Sequence, residues 1–207
     1  LDRIPLAIRL AAGRSRLMSV HQIQRRLSDR FKLLRQTSTK TNSRQSTMEA
    51  AIDWSWNLLT EQEQSVLQQC AVFRSGFTLE AAEAVVRTPQ ATDGEDLREL
   101  LDALSSKSLL FSEKTKHQSS RLNTYDSIRY YALERLETTG DVATAKQRHT
   151  EYFMSMGQEL LDAMKTPQAH EAFRILKLEV DNYRIVFDRV IDQDLKIAHK
   201  AFIICET

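Results

Sequence analysis

The carboxylates Glu61 and Glu63, the thiols of Cys70 and Cys205, and five histidines are the natural places to look for acid–base, nucleophilic or metal chemistry in this sequence. Their spacing assembles no reaction centre. Glu61 and Glu63 stand two apart in a helical stretch, which reads as a solvated face rather than an acid–base dyad. The histidines are scattered, with no HExxH and no Cys/His cluster at zinc spacing. The cysteines lie far apart in apolar helical contexts and read as reduced, buried thiols of a cytoplasmic protein. None of the five glycines precedes a lysine, so the GK[ST] phosphate loop is missing, as are GxGxxG and GxSxG. The expectation is a chain with no catalytic residues and no metal site, whose chemistry consists of binding.

The elements that would position any binding residue are helical. Five Gly and three Pro in 207 residues are too few for the tight turns of a sheet-rich fold. No apolar stretch approaches the roughly 20 residues needed to span a bilayer. Pro5 suits the first turn of a helix running to a stop or bend at Gly13. Ser19 can cap a second helix bearing Val20, Ile23 and Leu27. Residues 37–46, within RQTSTKTNSRQST, read as a polar linker. Thr47, Thr60 and Thr78 read as N-caps of successive short helices, Thr60 with Glu63 as a capping box. Leu97, Leu100, Leu101 and Leu104 mark the next helix. The period then changes: SLLFS, EKTKHQSS and RLNTY read as strand, turn and strand. Asp126 reads as the cap of SIRYYALERLE. Beyond Gly140, apolar residues at steps of three and four from Val142 to Met164 predict a long helix. Pro167 interrupts, and two more apolar faces follow.

The fold class expected is therefore mainly α: a helical segment (1–36), a linker (37–46), a winged helix with a small β-hairpin (47–139), and an antiparallel helical repeat-like array (140–207). Charge is unevenly spread along it. Residues 1–46 hold eleven Lys/Arg against two Asp/Glu, whereas residues 47–140 hold nine against fifteen. The absence of a leading Met and the abrupt final IICET suggest a piece of a larger chain.

Six stretches, in order, resemble one family. RIPLAIRLAA is similar to GLPLAIELAA, LSDRFKLL to LDDRFRLL, and RQSTMEAAIDWSWNLLTEQEQ to RHQTLRAAIDWSYDLLSPEEQ. VFRSGFTLEAAEAV resembles VFAGGFTLEAAEAV, YDSIRYYALERL resembles LETIREYALERL, and LEVDNYRIVFDRVI resembles EHDNLRAALDWAL. These are segments of NB-ARC-like ATPases of the STAND class, found in large bacterial regulators. The resemblance implies an upstream P-loop domain, a helical domain, a winged helix and a tetratricopeptide-like array. It also implies that ATP or ADP is held jointly with that upstream domain. Pro5 matches the family proline that meets the base and sugar, and Arg3 stands where the family has glycine. Thr124-Tyr125-Asp126 matches the family's Met-His-Asp triplet, whose histidine touches the β-phosphate of ADP. Tyr125 replaces that histidine and Asp126 keeps the acid.

Three functions compete. The first is the lid and transducing segment of a nucleotide switch, its basic N-terminal block facing phosphates. The second is a DNA-binding winged helix, with TLEAAEAVVRTP as its third helix. Glu80 and Glu83 there oppose phosphate contact, although the wing carries Lys114, Lys116 and His117. The third is a scaffold whose array binds a protein partner or ligand. DNA binding through another domain of a parent regulator is compatible with the first.

Overall fold

Steps of three and four between apolar residues, broken by threonine caps and by Gly140, produce a predominantly helical chain. The structure is a computed structural model and describes residues 5–15, 18–23, 43–88, 95–114 and 120–191. The helices are α1 (Pro5–Ala12), α2 (Ser43–Trp56), α3 (Glu61–Cys70), α4 (Leu79–Val85) and α5 (Glu95–Ser106), then α6 (Asp126–Thr139), α7 (Val142–Ala163) and α8 (Ala169–Val190). Between α5 and α6 lie strands β1 (Phe111–Lys114) and β2 (Ser120–Asn123). They pair antiparallel with Phe111 opposite Asn123 and Lys114 opposite Ser120. This is the winged-helix order, followed by an antiparallel helix pair, α7 and α8.

The caps form where local chemistry sets them. Thr60 Oγ1 accepts from the Glu63 N–H at 3.2 Å, and Glu63 Oε2 accepts from the Thr60 N–H at 2.9 Å. Thr78 Oγ1 accepts from the Ala81 N–H, opening α4. Ser19 and Gln22 exchange the same reciprocal pair of bonds. Gly140 ends α6 with φ 82°, the left-handed conformation that favours glycine.

Other boundaries move. Helix α2 begins at Ser43, so Thr47 lies inside it, and its first turn occupies the end of the expected linker. Gln and Arg there are good helix formers even without an apolar period. Asp126 does not cap α6: the N-cap is Tyr125, and Asp126 is the first helical residue. Leu109 and Leu110 precede β1 as buried connectors. The hairpin also has an unforeseen neighbour. Phe77 and Leu122 exchange both backbone hydrogen bonds at 2.8 Å, an isolated bridge that ties the turn before α4 to the wing.

One contiguous apolar core runs from Leu10 of α1 to Val190 of α8. Its centre includes Phe73, Phe77 and Phe153, and Trp56 sits edge-on to Tyr131. Each such fully buried large side chain contributes roughly 1.5–3 kcal/mol. Trp54 packs with Ile23 in a smaller cluster that fastens the N-terminal segment to α2. Cys70 lies in the main core, and burial pushes its thiol up to about 12. Cys205 falls outside the described residues.

Candidate functional site

Helix α1 is fixed by its C-terminal half. Leu10 is fully buried. Gly13 lies so close to the Lys107 carbonyl that a Cβ would stand 3.0 Å from its oxygen. Arg14 is buried and donates from Nη2 to the Ser55 carbonyl at 2.9 Å. Burial lowers its pKa, and the charge of Glu63 opposes that shift. At the other end of α1, Pro5 is exposed. Arg3 lies outside the described residues.

Arg9, one turn on from Pro5, reaches across to the start of α6. Its guanidinium carbon stands 5.6 Å above the centre of the Tyr125 ring. Phe111 of β1 lies 4.9 Å from the same ring. Tyr125 is thus held by α1 and by the first residue of the wing. Cation–π contacts of this kind are worth about 0.5–1 kcal/mol at exposed sites.

The start of α6 has no side-chain cap hydrogen bond. An uncapped helix start presents backbone N–H groups and the positive end of the helix dipole. Asp126, exposed, stands 3.5 Å from Arg129 Nε. Arg129 itself is 5% exposed. Its Nε and Nη2 have no hydrogen-bond partner among the described residues. Its guanidinium lies over the Tyr130 ring at 4.5 Å, and the Tyr130 hydroxyl accepts from Arg74 at 3.5 Å. That bond to Arg74 lowers the phenol pKa, and the charges of Arg74 and Arg129 add to it.

Of the residues expected from sequence, Tyr125 and Asp126 sit at one corner, and α1 joins it through Arg9 rather than through Pro5 itself. Sequence reading missed Arg9 and Arg129. The signal was present: each lies four residues after an expected site residue, Pro5 and Tyr125, on the same helical face.

A second cluster fastens the wing to the helix pair. Arg121 of β2 and Glu179 of α8 form a buried ion pair. Arg121 Nη2 also donates to the carbonyls of Ser75 and Gly76 at 3.1 and 3.0 Å. Asn182, fully buried, accepts from the Arg74 N–H at 2.8 Å and donates to the Gly76 carbonyl and to Glu179. Nearby, Arg189 meets His149 Nδ1 at 3.2 Å and the Val72 carbonyl at 3.3 Å. Burial pushes His149 down to about 3, the charge of Arg189 adds to the shift, and Asn182 acts in the other direction. The neutral imidazole therefore accepts from Arg189.

The DNA-contacting helix expected from sequence is the stretch 78–89, but the helix leading directly into the hairpin is α5. A winged helix offers this helix to a DNA groove. Its sequence, EDLRELLDALSS, has four acidic residues and one arginine. Glu99 and Asp102 are exposed, and Arg98 is paired with Glu83 of α4. Among the described residues no group of His, Cys, Asp and Glu is placed to hold a metal. No described helix is long and apolar enough to cross a membrane.

The chain is similar to mycobacterial proteins. It is 36% identical over 190 residues to a Mycobacterium tuberculosis protein named "Putative HTH-type transcriptional regulator", and equally to its Mycobacterium bovis counterpart. That match covers 90% of this chain and 21% of each relative, so the chain spans about a fifth of their length. An M. tuberculosis protein named as uncharacterized is 31% identical over 158 residues, covering 76% of this chain and 40% of its own. No protein-family profile matches the chain, and no solved structure does.

Proposed function

We propose that this chain is the lid and transducing segment of an adenine-nucleotide switch inside a bacterial, cytoplasmic transcriptional regulator. Catalysis is no part of its work. The carrying observation is the corner where Arg9 of α1 covers Tyr125 at the uncapped start of α6. The N-terminus of α1 and that helix start face the nucleotide of a P-loop neighbour: α1 meets base and sugar, and the Tyr125–Asp126 turn meets phosphate. The mycobacterial relatives support the regulatory part of this reading by their names. The nucleotide part is supported by the six-segment resemblance and by the positive character of both helix starts.

In the resting state ADP holds lid and P-loop domain together. Exchange for ATP, with an input on the helical array, releases them as a shift between two packings. Tyr125 donates a hydrogen bond but carries no positive charge, so the charge at this corner comes from Arg9 and Arg129. Direct DNA contact through this winged helix is disfavoured by the acids of α5, which repel phosphates. DNA output then belongs to another domain of the regulator.

The test is hydrogen exchange on the longer regulator that contains this chain, with and without ADP. Amides of α1 and of the first turn of α6 are expected to gain protection together. Protection that leaves both unchanged, or reaches only one, sinks the reading.

A further inference from the structure

Away from the Tyr125 corner, a cavity of about 230 Å³ opens between α3, the end of α4 and the start of α7. Its floor includes the apolar side of Leu136. Its walls are rich in donors. Arg87, just past α4, and Arg148 of α7 both line it, as do the hydroxyl residues Ser65, Thr88 and Thr144. Among the described residues, Asp141 is the one carboxylate in the lining.

The wall is ordered by Gln69, which is 6% exposed. Its Oε1 accepts from the Arg87 N–H at 2.8 Å and from Arg148 Nη2 at 2.9 Å. Its Nε2 donates to the Arg87 carbonyl at 2.7 Å and to Ser65. Arg148 Nε is spent on the Val85 carbonyl at 2.6 Å, and Arg87 Nη1 on the carbonyls of Glu83 and Val86. One amide thus fixes the Arg87 main chain and the Arg148 guanidinium beside one cavity. No hydrogen bond of Arg148 Nη1, of Arg87 Nε and Nη2, or of the Thr88 and Thr144 side chains appears among the described residues.

Both arginines line the cavity, and like charges repel: burial and then the charge of Arg87 lower the pKa of Arg148, with Asp141 and Glu151 acting the other way. An oxyanion between the two arginines removes that repulsion and takes the remaining N–H groups in charge-assisted hydrogen bonds. Guanidinium forks suit the planar carboxylate and the tetrahedral phosphate alike.

We propose that this cavity is an effector site for a small molecule bearing a phosphate or a carboxylate. Arg87 and Arg148 bind its oxyanion, Thr88 and Thr144 add hydroxyl contacts, and Leu136 packs against its carbon skeleton. The site lies where the winged helix meets the first helix of the array. Its occupant therefore bridges the two.

The test uses the 207-residue chain, with thermal unfolding and titration calorimetry against glycerol 3-phosphate, inorganic phosphate and succinate. Sodium chloride at matched ionic strength is the reference. Saturable stabilisation by at least one of the three beyond the salt reference is expected, and the phosphate and succinate arms tell the two sources apart. Arg87→Gln, which keeps the backbone clamp to Gln69, is expected to weaken binding about tenfold, the loss of one charged hydrogen-bonding partner. Thr144→Ala, on an exposed helical position, weakens it less, and Arg98→Gln leaves it unchanged. Arg148→Gln is informative only beside its own unliganded melting curve, because Arg148 also holds the end of α4. Stabilisation no greater than that of the salt, or binding untouched by both Arg87→Gln and Thr144→Ala, overturns the proposal.

Discussion

His149 shows how one buried side chain imposes a pH dependence on the fold. In the fold, burial pushes it down to about 3; in an unfolded chain an imidazole titrates at about 6.5. Between those values the unfolded chain holds a proton that the folded chain does not. Stability from this group is therefore complete above about 6.5 and falls as pH drops toward 3, by about 1.4 kcal/mol per pH unit at the steepest. His149→Phe, which keeps a ring beside Phe73 and Phe153, is expected to flatten denaturant stability between pH 6.5 and 4. An unchanged slope in urea melts over that range means that other groups set it. His149 falls in step with the apolar residues that predict a long helix from Val142 to Met164, so its place on the buried face was legible. Its partner Arg189, 40 residues away, was not, because nothing local links the two.

At the scale of elements, two glycines with positive φ separate backbone strain from crowding. Gly140, at φ 82°, has no neighbour within 4 Å of an added Cβ. Gly76, at φ 59°, would place that Cβ 3.1 Å from the Leu122 carbonyl oxygen. Gly140→Ala is expected to cost about 1 kcal/mol from the left-handed backbone alone. Gly76→Ala adds displacement of the wing and costs more, roughly 2–3 kcal/mol. Paired denaturation curves check the order; an equal or reversed cost contradicts the crowding at Gly76. Gly140 was readable as a break because a helix C-terminus is a local event. The need for Gly76 was not readable, since it arises from a strand 46 residues later. The same divide explains the other elements. Thr60 and Thr78 cap their helices through residues three positions on, and both were legible. The start of α2 at Ser43 carried no apolar period to announce it. The helix before the hairpin was legible from the spacing of Leu97, Leu100, Leu101 and Leu104, whereas the pairing of Phe77 with the wing was invisible in local pattern.

Across the whole molecule, the ion pair of Arg121 with Glu179 and the bonds of Asn182 make the winged helix and the helix pair one mechanical body. Removing one member of a buried ion pair strands its partner and costs about 3–5 kcal/mol. Glu179→Ala is therefore expected to lower the melting temperature sharply. Combined with Asn182→Ala, it is expected to split one cooperative transition into two, with α7 and α8 melting first. Calorimetry reads the number of transitions directly, and a single transition in the double variant refutes the coupling. The corner at Tyr125 was half legible in the same sense. Resemblance pointed to Pro5, Tyr125 and Asp126, and helical spacing carried a signal for Arg9 and Arg129, but that α1 meets the start of α6 through Arg9 was visible only in the fold.

The position of Asn182 along α8 has a mechanical meaning. The helix has 22 residues and so is about 33 Å long, and Glu179 and Asn182 pin it near its midpoint. Arg189 holds the far tip as well, through His149 and the Val72 carbonyl, so the rod is a lever whose longer free arm runs toward Ala169. A push at that tip is borne at the fulcrum, and the reaction force passes through Arg121 into β2, a few residues from Tyr125. Moving that fulcrum a turn toward either tip would change the leverage without touching anything that the rod's ends bind.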